Sequence, residues 1–157
     1  MTDDHEKAKA LNALLERTND VWGGLAMHGR NGVALHSALS ALVLSVGGED
    51  IIWAEVDLSD LGDTTYKILA LTRTKVVEVE RFSEAIDDVG TTVHPRRDLR
   101  SVKIRHAPYV SHGTSRNDDP LIVTLEYPHG DYELHERNDE LVNLLPTFLD
   151  ELAGQRG

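Results

Sequence analysis

The hydrophobic pattern changes period along the chain. Ala8, Leu11, Leu14 and Leu15 recur at helical spacing and predict a helix from residue 3 to about 20. Asp3 and Glu6 stand three apart at its start, as in a capping box. Trp22 and the pair Gly23-Gly24 close it. Residues 25–48 carry two signals. Val33, Leu35, Leu39, Leu42, Val43 and Val46 fit a buried helix over 32–46, closed by Gly47-Gly48. Asn31-Gly32 is a two-residue hairpin signal. The helix is the favoured reading.

From Asp50 onward the period shortens to that of strands. IIWAEVDL leads into SDLGDTT, a run of turn formers. YKILAL and VVEVER are two strands joined by TRTK, with Val77 and Val79 pointing one way and Glu78 and Glu80 the other. FSEAIDDVGTTVHP reads as a mixed connection. LRSVKIRH alternates, with Val102 and Ile104 expected inward and Lys103 and Arg105 outward. APYVSHGTSRNDDP reads as a long loop. LIVTLEY and YELHE form a hairpin in which a four-residue turn, PHGD, pairs Tyr127 with Tyr132 and Leu125 with Leu134. Leu121, Val123, Leu125 and Tyr127 share one face.

A last helix follows, capped by Asn138 or Asp139, with Leu141, Leu144, Leu145, Phe148, Leu149 and Leu152 on one stripe. Pro146 inside it predicts a kink or a restart. Helices, then six or seven short strands, then one amphipathic helix is an order that excludes a doubly wound α/β fold, which alternates strands with helices. A sheet of short strands must manage its edges, and a partly closed barrel under a helical cover is one solution.

Composition narrows the function classes. One domain with an added segment fits 157 residues. The absence of cysteine removes disulfides, thiolate nucleophiles and Cys-based zinc sites, and is compatible with a cytoplasmic location. The N-terminus MTDDHEKAKA is polar and acidic, unlike a targeting segment, and no window is long and apolar enough to span a bilayer. A net charge of −11 opposes nucleic acid and anionic membranes as partners. Against that background HPRRDLRSVKIRH stands out. Arg96, Arg97, Arg100, Lys103 and Arg105 oppose one acid, Asp98, so this run holds +4 and the rest of the chain −15. These five residues are the candidate contact for an anion or an acidic partner. The plainer reading makes Lys103 and Arg105 the wet side of a strand and Arg96 and Arg97 loop cations paired with acids.

No other constellation points to chemistry. HExxH is absent, and so are GxSxG, GxGxxG and the P-loop pattern. His106, His112, His129 and His135 flank loops and turns without metal-ligand spacing. Asp87-Asp88 and Asp118-Asp119 read as solvated loop acids, with no calcium-loop pattern. The expectation is no catalytic residue, no metal and no cofactor.

Three stretches resemble a bacterial pleckstrin-homology-like domain. YKILALTRTKVVEVE, with Leu71, Thr72, Arg73, Thr74 and Lys75 at its turn, is similar to that family's second and third strands. HPRRDLRSVKI resembles the lead into its next strand, and the last hairpin followed by NDELVNLLPTFLDEL resembles its closing hairpin and capping helix. The resemblance covers about residues 50–153. It implies an α+β, mostly β fold: a seven-stranded, partly open antiparallel barrel at 49–157 capped by a C-terminal helix, with 1–48 as a helical extension for packing or oligomerisation. It further implies a binding platform rather than an enzyme. Lipid-binding relatives place basic residues in the first hairpin, whereas SDLGDTT has two acids and no base, which argues against a phosphoinositide ligand.

The expected function is therefore a non-enzymatic protein-interaction module, binding protein at a strand edge and self-associating through its N-terminal helices. A small acidic chaperone-like protein is the alternative, and would need a helix inserted near SEAIDDVG. A ligand-binding or catalytic cone resembling nuclear transport factor 2 is disfavoured by the terminal helix.

Overall fold

A computed structural model describes residues 2–18, 29–57, 67–81, 89–105, 121–136 and 140–154. The chain divides into two compact units, Met1–Arg96 and Arg97–Gly157.

The first unit contains α1 (Thr2–Thr18), α2 (Gly29–Val46) and four strands, β1 (Ile51–Asp57), β2 (Lys67–Thr72), β3 (Lys75–Arg81) and β4 (Val89–Pro95). The strands form one antiparallel sheet in chain order. Both helices lie on the same face of it. Leu11 and Leu15 of α1 join Ala38, Leu39, Leu42, Val43 and Val46 of α2 in one cluster with Ala54, Ile68, Ala70, Val77 and Val79 of the sheet. α1 packs on β1, and α2 crosses β2, β3 and β4. The buried apolar side chains described in residues 1–48 thus cover a sheet face, while Leu44 is exposed.

Helix wins over hairpin at Asn31-Gly32, and α2 starts at Gly29, earlier than expected. A 3.6-residue apolar period sustained to Val46 outweighs one dipeptide, because most helical stability comes from packing the apolar face. Gly47 ends α2 at φ 64°, the left-handed conformation that glycine adopts without a Cβ penalty. Val77 and Val79 face the helices as expected, while Glu78 and Glu80 lie on the other side beside Lys67 at 3.8 and 3.5 Å. That other side also holds buried Trp53, Leu71 and Val76, in register across β1, β2 and β3.

β4 is a strand where a mixed connection was expected. GTTV offers no alternating apolar signal because Thr91, Thr92 and Val93 are all exposed at the sheet's margin. The SDLGDTT loop, the alternative reading's inserted helix around residues 82–88, and the whole APYVSHGTSRNDDP loop lie outside the described residues.

The second unit contains β5 (Ser101–Arg105), β6 (Ile122–Tyr127), β7 (Gly130–His135) and α3 (Glu140–Gly154). Its three strands form a second antiparallel sheet, and α3 packs against β5. Leu121, Val123, Leu125, Tyr127 and Leu134 are buried, as are Leu141 and Phe148 of α3.

Two expectations are corrected here. Hydrogen bonding among the described strands stops at two separate sheets of four and three strands and does not run on into a barrel. Pro95 ends β4, having no N–H for a ladder, and Arg96–Asp98 turn away as a single 3-10 turn. The last hairpin also differs. Tyr127 pairs with Gly130, Leu125 with Tyr132 and Val123 with Leu134 across the two-residue turn Pro128-His129. Gly130 makes this tight turn affordable at φ 154°, where L side chains are rare. The slip is two residues, so every side chain keeps its expected face.

Pro146 lies inside one continuous helix, so the chain does not restart there. The expected caps Asn138 and Asp139 lie outside the described residues. Glu136 performs a capping role: its carboxylate accepts hydrogen bonds from the N–H groups of Leu141 (3.0 Å) and Val142 (2.9 Å).

Candidate functional site

The five candidate cations do not act as one group. Arg96 belongs to the first unit and the other four to the second. Arg96 is only 5% exposed. Its Nη1 donates to the carbonyl oxygen of Thr72 at 2.6 Å, and its backbone N–H donates to that of Thr74 at 2.8 Å. It is a tie between the end of β4 and the β2–β3 turn.

That turn is the LTRTK stretch, and the structure supplies a reason for each of its polar residues. Buried Thr72 accepts the N–H of Lys75 at 2.9 Å and of Thr74 at 3.3 Å, closing the turn, and donates its hydroxyl proton to Glu49 at 3.0 Å. Thr74 donates to the same carboxylate at 2.7 Å. Lys75 Nζ reaches the carbonyl oxygens of Ser45 (3.3 Å) and Val46 (3.2 Å), where a cation complements the C-terminal end of α2, and lies 3.7 Å from Glu49. The hydrogen bond from Thr74, helped by Thr72 and Lys75, holds the Glu49 carboxyl below its ordinary 4.5 against a smaller opposing effect of burial. Lys7 of α1 adds a bond to the Gly47 carbonyl at 3.1 Å. The cluster clasps the end of α2 to the sheet. Sequence reading missed Glu49, which sits over twenty residues from its partners and follows no motif.

Arg97 and Arg100 are exposed. The Arg100 backbone N–H donates to the Glu126 carbonyl at 2.8 Å. Lys103 and Arg105 stand on the outer face of β5, as the plainer reading expects, and each meets an acid. Lys103 Nζ lies 2.5 Å from Glu126, and Arg105 Nη1 lies 3.4 Å from Glu133. Ser101 also donates to Glu126 at 2.6 Å. The hydrogen bond to Lys103, with that from Ser101, holds the Glu126 carboxyl low, and the same contact raises the Lys103 ammonium. Exposed pairs of this kind contribute little to stability. They leave Lys103 and Arg105 already engaged, so an acidic ligand would have to displace Glu126 and Glu133.

The inward face of β5 departs from expectation. Val102 is half-buried opposite Leu125, but Ile104 is 48% exposed although it pairs with buried Val123. β5 ends its sheet, so nothing among the described strands flanks Ile104 on that side. The same holds for β4, where Val93 is 45% exposed. These two margins carry exposed apolar side chains on strands that no further described strand flanks. At the β6–β7 turn, His129 Nε2 lies 2.8 Å from the Tyr132 hydroxyl, and the Tyr127 and Tyr132 rings meet edge to face at 5.9 Å. His135 stands 3.1 Å from Glu133. No helix among the described residues is long and apolar enough to cross a membrane.

No protein-family model matches the chain. No curated protein matches it either. Among solved structures the chain is similar to a DUF1696 family protein with a pleckstrin-homology domain from Shewanella loihica PV-4. The two are 12% identical, the match covers 73% of this chain and 90% of that one, and the TM-score is 0.41.

Proposed function

We propose that the chain is a non-enzymatic interaction module of pleckstrin-homology-like build that binds protein segments along an open strand margin. The arrangement of strands supports the build: four antiparallel strands, then three, in chain order, followed by an amphipathic helix. The observation that carries the function is the pair of sheet margins, β4 and β5, which expose Val93 and Ile104 beside backbone groups that no described strand pairs. A strand added there gains main-chain hydrogen bonds together with apolar contact.

Panning a random-peptide display library against the intact chain tests this. Selected peptides should be extended and shift the backbone amide resonances of 89–95 or 101–105. Peptides that perturb neither segment, or a library that yields none, would sink the proposal.

A further inference from the structure

Among the described residues four strands end the two sheets, and one of them is unlike the rest. β1 carries Glu55 and Asp57, β5 carries Lys103 and Arg105, and β7 carries Asp131 and Glu133. Charged side chains are how natural proteins keep sheet edges from pairing with other chains. β4, with the sequence VGTTVHP, has no charged residue along its seven positions. It is rich in β-branched residues, and Thr91, Thr92 and Val93 are exposed. Its one proline is the last residue and leaves the middle of the edge able to donate and accept.

The strand also complements itself. A two-fold axis gives an antiparallel pair its full overlap only when it passes through the middle residue, which is Thr92. Thr92 then faces its own copy, a favoured cross-strand pair. Thr91 faces Val93 of the other copy, and Val93 faces Thr91, so the two exposed valines are covered on the face that carries Val77 and Val79. Gly90 faces His94. No like charges meet along this seam, and the overall charge of −11 is screened beyond roughly 8 Å at physiological salt.

We propose that β4 pairs antiparallel with β4 of a second copy of this chain on a two-fold axis through Thr92, joining two four-stranded sheets into one of eight strands. The proposal rests on the open-margin reading above and names its partner. A seam of seven residues lies at the small end of specific interfaces, so the dimer is reversible rather than obligate.

Sedimentation velocity on the full chain over a dilution series should show a monomer passing to a dimer as concentration rises. Thr92→Lys puts like charges face to face on the axis, and the dimer should be lost while the thermal midpoint at dilutions where wild type is monomeric stays unchanged, Thr92 being exposed. Thr92→Cys gives a register-specific readout in a chain without native cysteine. Residues facing each other across the axis come within disulfide reach, so mild oxidation should cross-link this variant to itself. Thr91→Cys should link to Val93→Cys in a mixture and scarcely to itself. A wild-type chain that stays monomeric, a dimer unaffected by Thr92→Lys, or a Thr91→Cys self-link as strong as that of Thr92→Cys would each overturn the proposal. A monomer that still takes library peptides along a margin rules out the second copy and leaves the open-margin reading standing. A monomer that takes none removes both.

Discussion

Arg96 directs its guanidinium to the carbonyl oxygen of Thr72 at 2.6 Å, from a side chain buried to 5% exposure. The most basic stretch of an acidic chain therefore begins with a structural residue. Arg96→Met should keep much of the buried volume but leave that carbonyl without its charged donor. Hydrogen bonds to charged groups contribute about 1.5–3 kcal/mol, and the urea midpoint should fall accordingly. Arg97→Gln and Arg100→Gln, at exposed positions, should stay within about 0.5 kcal/mol of wild type. Equal losses at all three positions would contradict the assignment.

Glu49 predicts an acid limb in the stability curve. Its folded carboxyl sits below the ordinary 4.5, so the unfolded chain binds more protons over the interval between the two values. The stabilisation is fully present above about 4.5 and is lost as pH falls through the lower folded value. Glu126 acts in the same direction. Glu49→Gln should be less stable than wild type at neutral pH, with the difference narrowing as pH falls below 4.5. Chemical denaturation at a series of pH values measures it, and a difference that does not change with pH would refute the clasp.

Leu42 and Leu44 separate two roles for the N-terminal helices. Leu42 is fully buried in the cluster with the sheet, whereas Leu44 is 75% exposed. Leu42→Ala should cost about 2–5 kcal/mol, and Leu44→Ala about 0.5 kcal/mol or less. If the stripe that includes Leu42 served to join two chains, the gap between wild type and Leu42→Ala would widen as protein concentration rises. Unfolding both chains at two protein concentrations decides between them.

How far the sequence could be read depended on how far each signal is local. The Val77/Val79 alternation, the α2 period and the Leu141 and Phe148 positions of the α3 stripe were legible because burial repeats at the period of the backbone itself, whereas Leu149 of that stripe is 44% exposed. β4 was not, since an exposed strand of Gly, Thr and Val writes no alternation. The hairpin was placed on the right faces but two residues out, because face follows parity while register follows turn geometry, and that depended on Gly130. Within the candidate site, the outward placement of Lys103 and Arg105 was legible. The burial of Arg96 and the tie to Glu49 were not. Both arise from segments brought together in space, which residue order along the chain does not encode.

Pro146 offers a gain rather than a loss. It sits at the seventh position of α3, where the helix continues but the bond from its nitrogen to the carbonyl of Val142 cannot form. Pro146 is exposed, and Val142 is 40% exposed, so an added N–H meets no buried neighbour that must move. Alanine restores the donor and has the highest helix propensity, with proline about 3 kcal/mol less favourable in a helix interior. Pro146→Ala should therefore raise the thermal midpoint while Leu141 and Phe148 stay buried. A lowered midpoint would mean that proline sets a helix course on which the seating of those two side chains depends. Phe148→Ala, about 3–5 kcal/mol destabilising from its fully buried position, sets the scale for that comparison.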